Sequence, residues 1–363
     1  MNVGIDARLM AGRVRGMGKY AVQFISGCES DLIGLTFASF EKSNTLNLKG
    51  KGSSFYPLWE QITLPTLVGT ERLDYLVCPY NTAPLFKLRN TKLILVVHDL
   101  IYLKSTKELP LSVSFFQTLG RFYRRLIVPR AIKKADFIIT VSEFTKQELF
   151  DCFQVDSKKV TVIPNSISEE WCRLPPLPLD LRKNYIFTVS GEAPSKNVER
   201  LIKSFAIFQK ENQQAYVLKI AGIKAEHHGK FQSIANQYSV GEQVEFLGFL
   251  SDEQLFTLYR EARVFIFASL FEGFGIPLIE AMAAGTPVCC SNTTSMPEVV
   301  GDAAELFNPA DVNQIAKAIS DIIKCDSSAF DDKVHLGRKR VLKYLSKNVD
   351  EDVKAFWSKL NEN

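Results

Sequence analysis

Short, unbroken apolar runs recur along this chain. Each halts at a polar or glycine cluster, and each is followed by a stretch with helical spacing. Leu93-Ile-Leu-Val-Val97 and Val264-Phe-Ile-Phe-Ala268 are the clearest. Runs without alternation belong to strands buried on both faces, as in a parallel sheet covered by helices. In the first half, strands are expected at Val3–Asp6, Leu35–Phe40, Tyr75–Cys78, Leu93–His98, Phe137–Val141 and Val160–Ile163, with helices at Gly18–Cys28, Ser114–Lys134 and Phe144–Phe153. The pattern then breaks at Arg173-Leu-Pro-Pro-Leu-Pro-Leu-Asp180, which suits neither a helix nor a central strand. Beyond it the alternation restarts, with strands at Tyr185–Ser190, Tyr216–Ala221, Val244–Leu247, Val264–Ala268 and Pro287–Cys290. Helices are expected between them, and the end from about Asp331 to Leu360 is amphipathic. Two such halves imply an α/β chain of two doubly wound Rossmann-like domains facing across a cleft. The expected domains are residues 1–172 and 185–345, joined by a linker at 173–184, with a C-terminal helix at about 346–363 returning to the first.

The 363 residues suffice for two cores. A net charge of +4 does not point to a nucleic-acid partner. No apolar run approaches the roughly 18 residues of a membrane-spanning helix. Met1-Asn-Val-Gly-Ile-Asp-Ala-Arg8 reads as a first strand rather than a secretory signal, which implies a cytoplasmic protein. The seven cysteines form no CxxC pair, and the four histidines lack metal-site spacing with them, so no metal site is expected.

One segment is richest in chemistry: Phe271-Glu-Gly-Phe-Gly-Ile-Pro-Leu-Ile-Glu280. It leads from a buried strand through a glycine loop into a helix. Such a junction offers backbone N–H groups and partial positive charge to an anion. Glu272 and Glu280 flank it, an arrangement suited to a ligand with both phosphates and hydroxyls, such as a nucleotide sugar. The plainer reading is a well-capped helix.

Other candidates also fall at expected strand ends. Ser195-Lys196-Asn197 puts a lysine at a helix N-terminus, against the dipole unless an anion is present, or the lysine is simply a solvated surface residue. His98-Asp99 ends a strand: the imidazole could donate to a sugar hydroxyl and the aspartate could orient it, or the pair is a satisfied histidine beside a helix cap. Gly16-Met17-Gly18 borders a ligand or is simply a helix-entry loop. Residues 114–134 mix aromatics with six basic side chains, suiting either an anionic membrane surface or solvent.

Taken together, these segments resemble the retaining glycosyltransferases of family 4, which have the two-domain GT-B architecture. The resemblance is carried by Val96-Val-His-Asp-Leu100, Val141-Ser-Glu-Phe-Thr145, Val162-Ile-Pro-Asn-Ser166, Ser195-Lys-Asn-Val-Glu-Arg-Leu201, Val244-Glu-Phe-Leu-Gly248 and Phe271–Glu280. It continues through Ala284-Gly-Thr-Pro-Val288 and Met296-Pro-Glu-Val-Val-Gly301. It implies an N-terminal acceptor domain and a C-terminal donor domain. Glu280 would accept from the donor's ribose, Glu272 would bind the donor sugar, and the backbone at Phe274, Gly275 and Ile276 would hold sugar and diphosphate. Lys196 would neutralise the leaving diphosphate, with Gly191 and Asn197 beside it. His98 would meet the sugar from the other domain, and Gly16, Met17, Gly18 and Asp99 would border the acceptor or diphosphate.

One departure stands out. Many relatives carry an arginine near that lysine, whereas this chain reads Ser190-Gly-Glu-Ala-Pro-Ser-Lys196. Arg200, Arg15 or Lys19 would have to supply a second cation.

The implied reaction moves a hexosyl unit, with mannosyl favoured, from a nucleoside-diphosphate sugar to a glycan or polyprenyl-linked acceptor, retaining configuration. It would need no cofactor and no essential metal, and would serve surface polysaccharide assembly at the inner face of the cell membrane. A catalytically idle GT-B partner protein is the alternative. A Rossmann-type oxidoreductase, resting on Gly16–Ala21, ranks below both because the glycines follow their strand too late.

Overall fold

The computed structural model describes residues 1–10, 14, 16–37, 46–52, 54–86, 88, 90–105 and 115–362, with side chains at 115–117 excluded. Arg15, Ser114 and the end of the Leu35–Phe40 expectation lie outside these residues. The chain divides into two compact units. The first comprises Met1–Lys104, Val113–Ser166 and Lys347–Asn363; the second comprises Ser105–Ser112 and Ile167–Ser346.

In the first unit the strands are β1 (Asn2–Asp6), β2 (Asp31–Thr36), β3 (Asn47–Gly50), β4 (Tyr75–Cys78), β5 (Lys92–Val97), β6 (Phe137–Thr140) and β7 (Val160–Val162). Their order is β3-β2-β1-β4-β5-β6-β7, all parallel. The second unit holds β8 (Lys183–Val189), β9 (Val217–Ala221), β10 (Val244–Gly248), β11 (Ala262–Phe267), β12 (Val288–Ser291) and β13 (Ala304–Phe307). Their order is β10-β9-β8-β11-β12-β13, also all parallel. Both sheets reverse direction after their first strand, between β1 and β4 and between β8 and β11. Ligands of doubly wound sheets bind beyond the strand ends at this reversal.

The apolar runs fill the cores. Leu93 to Val97 of β5 and Val264 to Phe267 of β11 are essentially inaccessible to water. Cys289 and Cys290 are fully buried packing residues of β12. Two strands were not anticipated. β3 (Asn-Leu-Lys-Gly) and β13 (Ala-Glu-Leu-Phe) are edge strands, and each shows solvent enough polar backbone and side chain to break the apolar signature.

The proline-rich stretch expected to be a linker is built into the second unit instead. Arg338 donates to Leu174 O, Arg260 to Pro175 O, Arg182 to Leu177 O and Arg263 to Leu179 O. The passage between units falls earlier, at Ser166–Ile167. Prolines without N–H donors keep this stretch out of a helix or a ladder, so its carbonyls accept from arginine side chains instead.

At the end of the chain, the Ser346–Asn361 helix packs in the first unit. Trp357 Nε1 donates to Phe24 O at 2.8 Å, and the two rings lie 5.3 Å apart.

Candidate functional site

In the second unit, β8 and β11 are direct neighbours, with Ile186 opposite Val264 and Phe187 opposite Phe265. The loops leaving their C-terminal ends therefore meet, although 76 residues separate them in sequence. The first loop turns through Pro194–Lys196 and hands over to the Val198–Glu211 helix at Asn197, which adopts the left-handed conformation (φ 59°). Asn197 is buried and donates to Ala268 O at 3.0 Å and Pro309 O at 2.8 Å, pinning the loop to the end of β11. Leu270 N completes the seam on Ser195 O at 2.7 Å.

This seam brings Lys196 Nζ to 2.6 Å from Glu272 Oε1, in a pair that retains partial contact with solvent. The anion that a lysine at this helix end requires is supplied by the Glu272 carboxylate. Gly191 leaves room beside it: a Cβ there would come no closer than 4.0 Å to Lys196 Cγ.

Glu272 is held from the opposite side. Its N–H donates to Thr294 Oγ1 at 3.2 Å, and Ser295 Oγ lies 3.0 Å from the carbonyl oxygens of both Glu272 and Phe274. Thr294 has φ 58°, an outlier for a β-branched residue, at the point where the loop after β12 meets Glu272. The Phe274 side chain is buried edge-on against Tyr344. Gly275 (φ 109°) then opens the Ile276–Ala283 helix, whose start carries no side-chain cap. A Cβ at Gly275 would lie 2.9 Å from Leu278 Cδ1, so both conformation and space demand glycine. Pro277 is the second helical residue, where its missing N–H leaves no intrahelical bond unmade. Glu280 stands on this helix, where Tyr259 OH donates to its Oε2 at 2.9 Å. Burial, then the neighbouring Glu280, drives the Tyr259 phenol well upward, keeping it a donor.

The remaining candidates belong to the first unit. His98 follows β5 and is buried. Its Nε2 lies 2.9 Å from Pro79 O, and its N–H donates to Asn81 Oδ1 at 2.6 Å. Burial lowers its pKa to about 4, the Pro79 bond opposing. A neutral ring donating from Nε2 to Pro79 presents Nδ1 as an acceptor. This corrects the expectation that the imidazole donates to a ligand hydroxyl. Pro79 O orients the ring, and Tyr20 packs edge-on to it at 5.0 Å. Asp99 Oδ1 accepts from Ile101 N at 3.2 Å, just ahead of the Ile101–Leu103 turn.

Tyr20 lies on the Met17–Ser26 helix, so the Gly16-Met17-Gly18 entry is tied to His98 through that ring. Gly18 has a packing reason: a Cβ there would sit 2.2 Å from Leu9 O. Arg200, suggested as a second cation, donates to Asn197 Oδ1 at 3.0 Å. Ser142 caps the Glu143–Phe153 helix by accepting from Thr145 N.

The sequence reading missed three features. Tyr259 and the Thr293-Thr294-Ser295 triplet support the two glutamates, and the triplet's position directly after an apolar strand was a usable signal. The third is a buried polar knot at the first unit's own strand reversal. Arg8 NH2 pairs with Asp6 Oδ2 at 3.2 Å and Glu60 Oε2 at 3.4 Å, while Tyr56, Thr82, Gln61 and Tyr123 also donate to Glu60. Glu60 lies on a π-helical turn, Trp59–Thr63, an irregularity frequent at functional sites. Burial first, then Glu60, raises the Asp6 pKa to about 7 against the opposing pull of Arg8.

Among the described residues no three His, Cys, Asp or Glu side chains gather to hold a metal ion, and no helix is long and apolar enough to cross a membrane.

Residues 33–171 match the model of Glycosyltransferase Family 4, and residues 174–336 that of Glycosyl transferases group 1. O-antigen chain mannosyltransferase B of Escherichia coli is 30% identical over 213 residues, 56% of each chain. The match therefore spans little more than half of that relative's own length. O-antigen chain mannosyltransferase RfbU of Salmonella typhimurium is 29% identical over 74% of this chain and 69% of its own. The crystal structure of Anabaena HepE in complex with UDP-glucose superposes with a TM-score of 0.75 over 99% of this chain and 100% of that one, at 17% identity.

Proposed function

The chain belongs to the group 1, family 4 glycosyltransferases of GT-B fold, and on that premise we propose that it moves a hexosyl unit from a nucleoside-diphosphate sugar to a glycan or polyprenyl-linked acceptor in surface polysaccharide assembly. Mannose is the favoured sugar and GDP-mannose the favoured donor, a reading supported by the two mannosyltransferase relatives. The site of action is the inner face of the cell membrane.

The observation that carries this reading is the Lys196–Glu272 pair beside the uncapped start of the Ile276–Ala283 helix. A diphosphate entering there would take the ammonium from Glu272 and add the helix N–H groups as donors. Glu272, released, would accept from hydroxyls of the transferred sugar. Glu280, held by Tyr259, would accept from the ribose.

Breaking the sugar–phosphate bond builds charge on the diphosphate, and fixed donors aimed at that charge lower the barrier. We read the transfer as retaining and front-side: the acceptor attacks the face the diphosphate leaves, and a phosphate oxygen takes its proton. No metal has a place in this scheme. Asp350 and Asp352, the one closely spaced carboxylate pair of Asp-x-Asp type, lie within the C-terminal helix.

The test is a panel of nucleotide sugars, read first by thermal shift and then by transfer to a glycan primer in the presence of EDTA, with the product anomer assigned by NMR. Stabilisation by GDP-mannose with an α-linked product supports the reading. A donor that binds without ever being turned over assigns the chain instead to the catalytically idle alternative.

A further inference from the structure

Three consecutive hydroxyl residues, Thr293, Thr294 and Ser295, follow β12, and each is bonded to the loop that carries Glu272. Thr293 Oγ1 donates to Leu270 O at 3.3 Å. Ser295 Oγ, inaccessible to water, reaches the carbonyls of Glu272 and Phe274, each at 3.0 Å. β12 pairs with β11 on the side opposite β8, so its loop meets the Glu272 loop from the side away from Lys196.

Thr294 stands between these two tied neighbours and differs from both. It is only partly buried. Its Oγ1 accepts, from Glu272 N at 3.2 Å, where the other two hydroxyls donate. Among the described residues its own hydroxyl proton has no acceptor. Its backbone also holds φ 58°. A β-branched residue resists that conformation, which persists only where surrounding bonds over-determine it, as those of Thr293 and Ser295 do. Glycine or asparagine takes such a φ more readily. What threonine adds at this point is a hydroxyl beside Glu272.

We infer that Thr294 is a sugar-recognition residue of the donor site, its Oγ–H donating to a hydroxyl of the transferred hexose that Glu272 also holds. The inference rests on the transferase reading above and deepens it. A sugar hydroxyl both donates and accepts, whereas a carboxylate only accepts. Glu272 therefore serves half of what the sugar presents, and Thr294 supplies the complementary donor. Accepting from Glu272 N ties the threonine oxygen to the glutamate's own backbone, so donor and acceptor meet the ligand at a set spacing. Charge and side divide the labour. Lys196 approaches Glu272 from the β8 side and carries the charge that a diphosphate needs. Thr294 approaches from the β12 side and is neutral, which suits a hydroxyl.

Calorimetry on the full chain with GDP-mannose and with GDP separates sugar recognition from diphosphate recognition. If another nucleotide sugar of the panel stabilises wild type more, it and its nucleoside diphosphate replace these two probes. Thr294→Val keeps the shape and removes the hydroxyl. It should weaken GDP-mannose by about three- to tenfold, the range of one neutral hydrogen bond, and leave GDP unchanged. Thr294→Ser should bind both as wild type does. Ser295→Ala frees two loop carbonyls without removing the Thr294 hydroxyl, and should weaken both ligands together. If circular dichroism shows that Thr294→Val does not fold, Thr294→Ala takes its place with the same expectations. Equal loss of GDP and GDP-mannose in the Thr294 variant overturns the inference, because the effect is then one of loop order. A sugar-selective loss in Ser295→Ala overturns it as well. Wild type that binds no nucleotide sugar of the panel overturns the transferase reading and this inference together; wild type that binds GDP-mannose no better than Thr294→Val does overturns this inference alone.

Discussion

Lys196 and Glu272, 76 residues apart, meet at 2.6 Å because their loops leave adjacent strands at the reversal of the second sheet. The pair neutralises a cation at a helix start and, under the proposed function, is the contact a diphosphate would have to replace. Donor binding would then be an exchange of anions.

Lys196→Ala should lower kcat by about 10²–10³, the loss of one fixed donor at a site of developing charge. Glu272→Gln should differ in kind: it frees the ammonium and tightens free nucleoside diphosphate while slowing sugar transfer. Isothermal calorimetry with the diphosphate alone separates the two effects. Weaker diphosphate binding by Glu272→Gln would contradict the exchange.

Glu280→Ala should raise the donor Kd with a smaller effect on kcat at saturation. Tyr259→Phe, which removes only the 2.9 Å bond that orients Glu280, should do the same to a lesser degree, by about tenfold or less for one hydrogen bond to a charged group. Donor titration of the two variants and the double variant checks this, since residues acting through one another should not be additive.

Stability of the first unit should carry two opposing pH slopes. His98 titrates near 4 when folded and near 6.5 when unfolded. Its contribution is complete above about pH 6.5 and is lost as pH falls towards 4, by at most about 3 kcal/mol. Asp6 titrates near 7 when folded, so its ionisation erodes stability as pH rises from about 4 to 7. In urea melts, the advantage of wild type over His98→Gln should therefore shrink as pH falls from 6.5 to 4.5. Asp6→Asn should gain on wild type as pH rises. An advantage of wild type over His98→Gln that stays constant across this range would contradict the neutral buried imidazole.

Arg182 is buried, and among the described residues no carboxylate lies within ion-pair distance of it. Its guanidinium donates instead to the carbonyls of Leu177, Arg260, Ala262 and Gly285, and burial followed by Arg263 and Arg260 lowers its pKa to about 10. Arg182→Met would strip several buried carbonyls of donors at once and should destabilise the second unit by about 2–4 kcal/mol. Denaturant titration measures this directly. Arg182→Lys should recover only part of it, because an ammonium cannot span the same fork of acceptors.

The legible and illegible parts of this protein divide along a physical line. Unbroken apolar runs announced the central strands, since burial on both faces writes itself into consecutive residues. The glycine loop after Glu272 marked a helix start, and Gly275 there adopts a positive φ that side chains resist. Glu272 and Glu280 were visible because one short segment carries them both, and their family resemblance is local. What sequence could not supply was neighbourhood. Strand order puts Lys196 on Glu272, and the packing of the Trp59–Thr63 turn against the first sheet gathers Asp6, Arg8, Glu60 and Thr82 into one buried knot. Edge strands β3 and β13 stayed hidden because a strand with one open side needs little apolar sequence. Arg125 likewise looked like a surface charge until the fold carried the carbonyls of Tyr102 and Lys104 to it. Local chemistry is read from consecutive residues; partners distant along the chain exist only once the sheets have closed the distance.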